Sequence, residues 1–132
     1  MTALADRFTP VLLPEDRRAE AALAGPVHAM VARQDAAAFE RQIEAGEGRP
    51  DHTAVLAGLK VPALLICGAQ DSFGRAALQA PMAALLPDAP VLLIDHCGHL
   101  PMLEHPQAVN HAMHAWLAEV ALQGLRSPAA IC

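Results

Sequence analysis

An aspartate and a histidine follow two continuous apolar runs in the second half of the chain, and their placement suggests acid–base chemistry. The first run, 61–67, leads into a turn that carries Asp71, and the second run, 91–94, leads into a turn that carries His99. If both runs are strands of one parallel sheet, both side chains lie at its carboxyl edge, where catalytic groups gather. An aspartate and a later histidine at such strand ends are the acid and the base of a Ser-Asp-His triad.

Each residue of this pair also has a simpler interpretation. A loop histidine can bind nearby backbone groups, and an aspartate after a strand can cap a turn or a helix. The catalytic interpretation gives His99 the role of general base, since the ordinary imidazole pKa of about 6.5 suits proton transfer near neutral pH. Asp71 would then orient the ring and stabilise its charged form, so the two roles depend on each other.

No convincing nucleophile accompanies this pair. The serines are Ser72 and Ser127. Around Ser72 the chain has Gln70 where a Gly-x-Ser-x-Gly turn has its first glycine, and use of Ser72 would leave no separate acid. Ser127 falls in a predicted tail, and Cys97 is better explained as a buried apolar filler. The sequence therefore predicts an acid and a base without their nucleophile.

A metal site is a weaker alternative. Three potential ligands, His96, Cys97 and His99, lie close together, and His111 and His114 are three residues apart. Structural zinc sites instead pair two clusters of ligands at defined spacings. We therefore expect no metal ion and no cofactor, and interpret the helical histidines as solvated surface residues.

Composition excludes several classes of protein. The 132 residues suffice for one modest core, and 54% apolar residues predict a globular chain. A net charge of −5 with scattered basic residues argues against nucleic-acid binding. We expect a cytoplasmic protein without membrane contact, for three reasons. The three cysteines show no pairing pattern, and no apolar run approaches the roughly 20 residues that span a bilayer. Charged residues also lie close to Met1, where a secretory signal would be apolar.

The order of the elements changes character after Leu59. Residues 1–59 predict helices: one over 16–33 that Pro26 breaks or kinks, one over 35–45 capped by Asp35 and closed by Gly46, and a short one over 51–59. Residues 60–124 predict strand 61–67, helix 75–86, strand 91–94 and an amphipathic helix from 106 to 124, followed by a tail at 125–132. The fold class is therefore α/β, with two parallel strands that need neighbours to complete their sheet.

Three stretches, 61–71, 82–89 and 97–106, together resemble the carboxyl-terminal part of the α/β-hydrolase fold. The last has the pattern Gly-His-Leu-Pro-x-x-Glu-x-Pro, and residues 1–59 look like the end of a cap region. The resemblance implies a partial fold with the last two of about eight core strands. It also implies the triad acid for Asp71 and the triad base for His99. Arg75 stands where the family commonly has proline.

The resemblance implies serine-hydrolase or esterase-like chemistry on a small ester, with the nucleophile and oxyanion donors supplied from elsewhere. We expect the lone chain to be inactive. The alternative is a non-enzymatic interaction or oligomerisation module. In either case we expect a second copy or a partner chain to complete the sheet, because unpaired strand edges promote association.

Overall fold

Helices dominate the chain, and two short parallel strands form its sheet. The computed structural model describes residues 2–74 and 76–126. A 3-10 turn at Glu15–Arg17 follows the first helix. The helices are α1 (Thr2–Leu12), α2 (Ala21–Ala32), α3 (Ala36–Glu47), α4 (Thr53–Ala57), α5 (Ala76–Leu85), α6 (Pro101–Glu104) and α7 (Pro106–Arg126), and the strands are β1 (Leu65–Gly68) and β2 (Val91–Ile94).

The amino-terminal helices pack on one another and on the second half of the chain. Helices α1 and α2 lie against each other, and a small core forms from Leu13, Leu23 and Val27. Leu100, which follows the second strand, packs against this core. The helical segment is thus joined to the loop that carries His99.

Helix α2 continues through Pro26, so the predicted break at this residue is wrong. A proline inside a helix loses a backbone hydrogen bond and costs about 3 kcal/mol. Pro26 lies on the exposed side of α2, whereas Leu23, Val27 and Val31 are buried at four-residue spacing on the other side. The burial of three aliphatic side chains, about 1.5–3 kcal/mol each, offsets the loss.

Helix α3 begins as predicted. The Asp35 carboxylate accepts a hydrogen bond of 2.9 Å from the Ala38 amide, which is the geometry of an N-cap. The helix continues past Gly46 to Glu47, and Gly48 follows as the C-cap. The local capping signal therefore located the start of the helix better than its end.

The two strands are parallel neighbours, as predicted, with Leu65 opposite Val91 and Gly68 opposite Ile94. Strand β2 has the predicted bounds. Strand β1 is shorter than predicted: its ladder begins where the Leu65 amide donates to the Pro90 carbonyl, and Val61 stays exposed. The sheet is open at its edges, which fits the predicted partial α/β fold.

The two faces of β2 differ in burial. Ile94 forms a core with Cys97 and Val109, so one face of the sheet packs on α7. On the opposite face Val91 is 49% exposed and Leu93 is 50% exposed. One face of the strand is therefore a core surface and the other is open.

Helix α7 begins at Pro106, as predicted, and extends to Arg126, two residues beyond the predicted end at Gly124. Its first turns are covered through Val109, but Met113 and Leu117 farther along are exposed. Residues 127–132 of the predicted tail lie outside the described residues. None of the described helices has both the length and the apolar character needed to cross a bilayer.

Candidate active site

Asp71 lies three residues beyond the end of β1, in a turn that fixes its carboxylate. The Asp71 amide donates to the Gly68 carbonyl at 3.3 Å, and Asp71 Oδ1 accepts from the Phe73 amide at 2.8 Å. The second bond closes an Asx turn, a local preference of aspartate. The side chain is only 9% exposed. The carboxylate is therefore held by its own loop in a largely buried position.

His99 follows β2 in a loop that approaches other backbone closely. Its amide donates to the Leu12 carbonyl of α1 at 2.9 Å. A Cβ at Gly98 would lie 2.7 Å from the Leu12 oxygen and 2.9 Å from Cδ of Pro14. Only glycine fits this position, and the reason is the close approach of α1.

Backbone hydrogen bonds join the two loops at the carboxyl edge of the sheet. The Ala69 amide donates to the Ile94 carbonyl at 2.9 Å, and the Gln70 amide donates to the Cys97 carbonyl at 2.9 Å. A Cβ at Gly68 would overlap the carbonyl oxygens of Cys97 and Gly98. The loop after β1 and the loop after β2 are thus in direct contact.

This contact brings Asp71 and His99 together. Nδ1 of His99 lies 3.0 Å from Oδ2 and 3.1 Å from Oδ1 of Asp71. Because a carboxylate only accepts hydrogen bonds, we assign the ring proton to Nδ1, which then donates to Asp71. Nε2 of the neutral ring is left with its lone pair, as a general base requires. The ring is 42% exposed, so a reactant can reach it.

The surroundings favour the ionised form of Asp71. Burial raises the pKa of this carboxyl group, but hydrogen bonds from the Gly74 and Phe73 amides and from His99 together outweigh burial, so the pKa of Asp71 is lowered from 3.8. An ionised partner fixes the Nδ1–H tautomer of His99 and stabilises the imidazolium that forms after proton uptake. The pair can therefore accept and return a proton.

A row of phenylalanines begins beside this pair and was not predicted. The ring of Phe73 lies 5.0 Å from that of His99, and the ring of Phe8 lies 6.5 Å from Phe73. Phe39 contacts Phe8 edge to face at 5.6 Å. Its three rings come from segments that are far apart in sequence. The position of Phe73 just after Asp71 was the one sequence signal that could have placed a ring beside the pair. The row gives the site an apolar side.

The other candidate residues do not join the Asp71–His99 pair. Ser72 is exposed next to Asp71, and among the described residues the hydrogen-bond partner of the His99 ring is Asp71, not Ser72. Cys97 is completely buried, and burial together with the nearby Glu104 carboxylate raises the pKa of its thiol to about 12. His96 turns away to Asp16, with Nδ1 at 3.0 Å from Oδ2. Among the described residues no activated nucleophile therefore accompanies the Asp71–His99 pair, and the histidines and cysteines weighed as metal ligands do not converge.

Ser127 lies outside the described residues. His111 and His114 are exposed on α7, remote in sequence from the loop of the pair. A cavity of about 440 Å³ lies at the other end of the strands, between the segment 57–63, the turn 85–90 and Trp116 of α7. This cavity is thus separate from the Asp71–His99 pair.

Comparison with known proteins places this geometry in a family. The profile of the alpha/beta hydrolase family matches residues 1–112. The chain therefore belongs to the alpha/beta hydrolase family, and the predicted membership is confirmed.

Esterases are among the similar proteins. A thermophilic esterase from Thermogutta terrifontis superposes with a TM-score of 0.83 at 26% identity, over 89% of this chain and 44% of that one. A pimeloyl-[acyl-carrier protein] methyl ester esterase from Xanthomonas campestris is 40% identical over 70 residues, which are 53% of this chain and 28% of the relative. Polyketide synthase ThaQ from Burkholderia thailandensis is 37% identical over 71 residues, 54% of this chain and 3% of that protein. The chain thus spans less than half the length of each of these proteins.

Proposed function

We propose that the chain supplies the acid and base of a serine-type ester hydrolase, with the nucleophilic serine on polypeptide outside these 132 residues. The observation that carries the proposal is the bond between Nδ1 of His99 and the carboxylate of Asp71 at the carboxyl edge of two parallel strands. Similarity to two esterases supports the reaction class.

The residues would act in a defined order. Nε2 of His99 takes the proton from the serine hydroxyl as its oxygen attacks the ester carbonyl, and Asp71 stabilises the resulting imidazolium. The imidazolium then gives this proton to the leaving alkoxide as the carbon–oxygen bond breaks. Water repeats the sequence on the acyl-enzyme: His99 takes a proton from water, the acid is released and the proton returns to serine. Oxyanion donors come from the same outside polypeptide as the serine.

The apolar side of the site fits the hydrocarbon part of an ester. Phe73 is 48% exposed and contacts the His99 ring, so an acyl or alkyl group bound next to the imidazole would cover apolar surface. Burial of such surface contributes about 25 cal/mol per Å². Small carboxylic esters are therefore the proposed substrate class.

Co-expression with the missing part of a relative tests the proposal. The partner is the portion of the Thermogutta terrifontis esterase that this chain does not cover. We expect 4-nitrophenyl acetate hydrolysis by the complex but not by this chain alone. His99→Ala and Asp71→Ala should abolish that hydrolysis, whereas His114→Ala, a change on the exposed surface of α7, should leave it unchanged. A stable complex without hydrolysis, or hydrolysis that survives His99→Ala, contradicts the proposal.

A second candidate function, an interaction module, is favoured by the open face of β2. Val91 and Leu93 lie half exposed on one side of the strand, next to β1. A polypeptide that packed on this face would cover these side chains, and a strand added at the edge of the sheet would pair the free strand edges. Under the first proposal this polypeptide is the one that carries the serine. Under the second it is a copy of this chain.

A further inference from the structure

Glu104 is a buried carboxylate beside the histidine loop, and neither the sequence pattern that contains it nor the proposed reaction gives it a role. It ends the short helix α6, and its side chain is 0% exposed. Ionised side chains are rarely buried completely unless their oxygens are bonded or paired. The contacts of Glu104 therefore indicate what holds it there.

Both carboxylate oxygens of Glu104 bind the loop that carries His99. The Gly98 amide donates to Oε1 at 3.0 Å and to Oε2 at 2.9 Å, and the Leu100 amide donates to Oε1 at 3.2 Å. The intervening amide, that of His99, donates to the Leu12 carbonyl at 2.9 Å. Three consecutive amides around the base are thus fixed, two of them by one carboxylate.

Arg17 joins the same cluster from the amino-terminal segment. Its Nη1 lies 3.8 Å from Oε2 of Glu104 and donates to the Glu104 carbonyl oxygen at 3.1 Å. The guanidinium also forms a paired contact with Glu20, at 2.9 Å on each oxygen. Arg17 is therefore held in place, and it balances part of the negative charge that Glu104 brings into the core.

We propose that Glu104 is a positioning residue for His99: by binding the amides on both sides of it, Glu104 sets the backbone from which the imidazole reaches Asp71. This inference rests on the proposed function only in calling His99 the base. Two amides that share one acceptor cannot rotate independently, so the direction of the His99 Cα–Cβ bond is restricted. A carboxylate suits this position because the Gly98 N–H faces both of its oxygens. In a glutamine one of these oxygens becomes an NH2 group, which would set a donor against the Gly98 amide.

Nuclear magnetic resonance of the lone chain tests the inference without any nucleophile. The readouts are the low-field resonance of the Nδ1 proton shared with Asp71 and the nitrogen shifts that report the tautomer of His99. In Glu104→Gln we expect a weakened or absent low-field resonance and a mixed tautomer population, in a protein whose other amide resonances keep their dispersion. The matched control is Glu119→Gln, on the exposed surface of α7, which should leave both signals unchanged.

A second variant covers the possibility that Glu104→Gln does not fold. Glu104→Asp keeps the charge but draws the carboxylate back by one methylene group, so it cannot reach both amides; it should show the same loss of the low-field resonance. A folded Glu104→Gln or Glu104→Asp with an unchanged His99 signal overturns the inference. Failure of both variants to fold also overturns it, because Glu104 would then act on folding rather than on the histidine.

Activity separates this inference from the proposed function. In the hydrolytic complex described above, Glu104→Gln should lower kcat by up to about a hundredfold with little change in KM, the cost of misplacing a reacting group by about 1 Å. If the resonance changes in Glu104→Gln but no complex ever hydrolyses an ester, the positioning role stands and the proposed reaction fails. If hydrolysis depends on His99 but neither the resonance nor kcat responds to Glu104→Gln, the positioning role fails alone.

Discussion

The Asp71 carboxylate accepts hydrogen bonds from its own loop and from His99, and these bonds outweigh the effect of its burial. The pKa of Asp71 in the folded protein is therefore lower than its value of 3.8 in an unfolded chain. A lowered pKa means that the ionised form stabilises the fold. This contribution is complete above about pH 5, and it is lost as the pH falls below 3.8 through the folded-state value.

Asp71→Asn should lower the free energy of unfolding by about 1–3 kcal/mol at pH 7, because a charged acceptor of several hydrogen bonds is removed. The difference between wild type and variant should shrink as the pH falls below 3.8. Urea denaturation at a series of pH values measures this. Ser72→Ala, an exposed neighbour that does not titrate, serves as the control and should give a pH-independent difference. A constant difference for Asp71→Asn down to pH 2 would contradict the assignment.

At the scale of the elements, the site depends on how closely the loops after β1 and β2 approach. Gly68 lies directly under the carbonyl oxygens of Cys97 and Gly98. The amides of the next two residues bind the last residue of β2 and the loop that follows it. A side chain at Gly68 must push the two loops apart. The distance between Asp71 and His99 is thus set by a position without a side chain.

Gly68→Ala should destabilise the fold by about 1–3 kcal/mol or more, since overpacking forces the backbone to move. It should also weaken the low-field proton signal of His99, because the loop that moves carries this residue. Gly25→Ala is the matched control: nothing lies within 4 Å of the added methyl group, and alanine in a helix is about 0.5–1 kcal/mol more favourable than glycine. Equal thermal stability of the two variants would show that the loops are not in this contact.

The sequence predicted those helices and strands whose limits depend only on neighbouring residues. The apolar run of β2, the Asp35 cap and Pro106 at the start of α7 each depend on neighbouring residues only. Pro26 was misjudged because burial on the far side of α2 offsets its cost, and burial is a tertiary property. The same reason explains why the bond from His99 to Leu12, 87 positions apart, could not be predicted.

The candidate site likewise has residues that the sequence could predict and residues that it could not. Asp71 and His99 could be named because each directly follows an apolar run, and the structure brings their side chains into hydrogen-bond contact. Glu104 lay within a recognised pattern, but the pattern does not reveal that its carboxylate points inward. The phenylalanine row depends on the folding of α1 and α3 over the site, which no periodicity in either helix encodes.

At the scale of the whole molecule, apolar surface is left open on β2 and on α7. Val91 and Leu93 on β2, and Met113 and Leu117 on α7, are exposed although their spacing is that of core residues. The chain covers 44% of the Thermogutta terrifontis esterase. Surfaces of this kind in an isolated chain promote association.

The double variant Val91→Lys with Leu93→Lys should therefore reduce self-association of the isolated chain, because two charges on one strand face oppose sheet pairing. Light scattering after size exclusion measures the mass over a concentration series. Val55→Lys, an equally apolar exposed position on α4, is the control and should leave association unchanged. A wild-type chain that stays monomeric at all concentrations would contradict this role for the face.

The bond between the His99 amide and the Leu12 carbonyl makes the position of the histidine loop depend on α1. A movement of α1 away from this loop would break the bond and release the backbone that carries the imidazole. If the proposed reaction takes place, α1 and the helix α2 packed on it therefore have to stay docked while the ester is bound and hydrolysed.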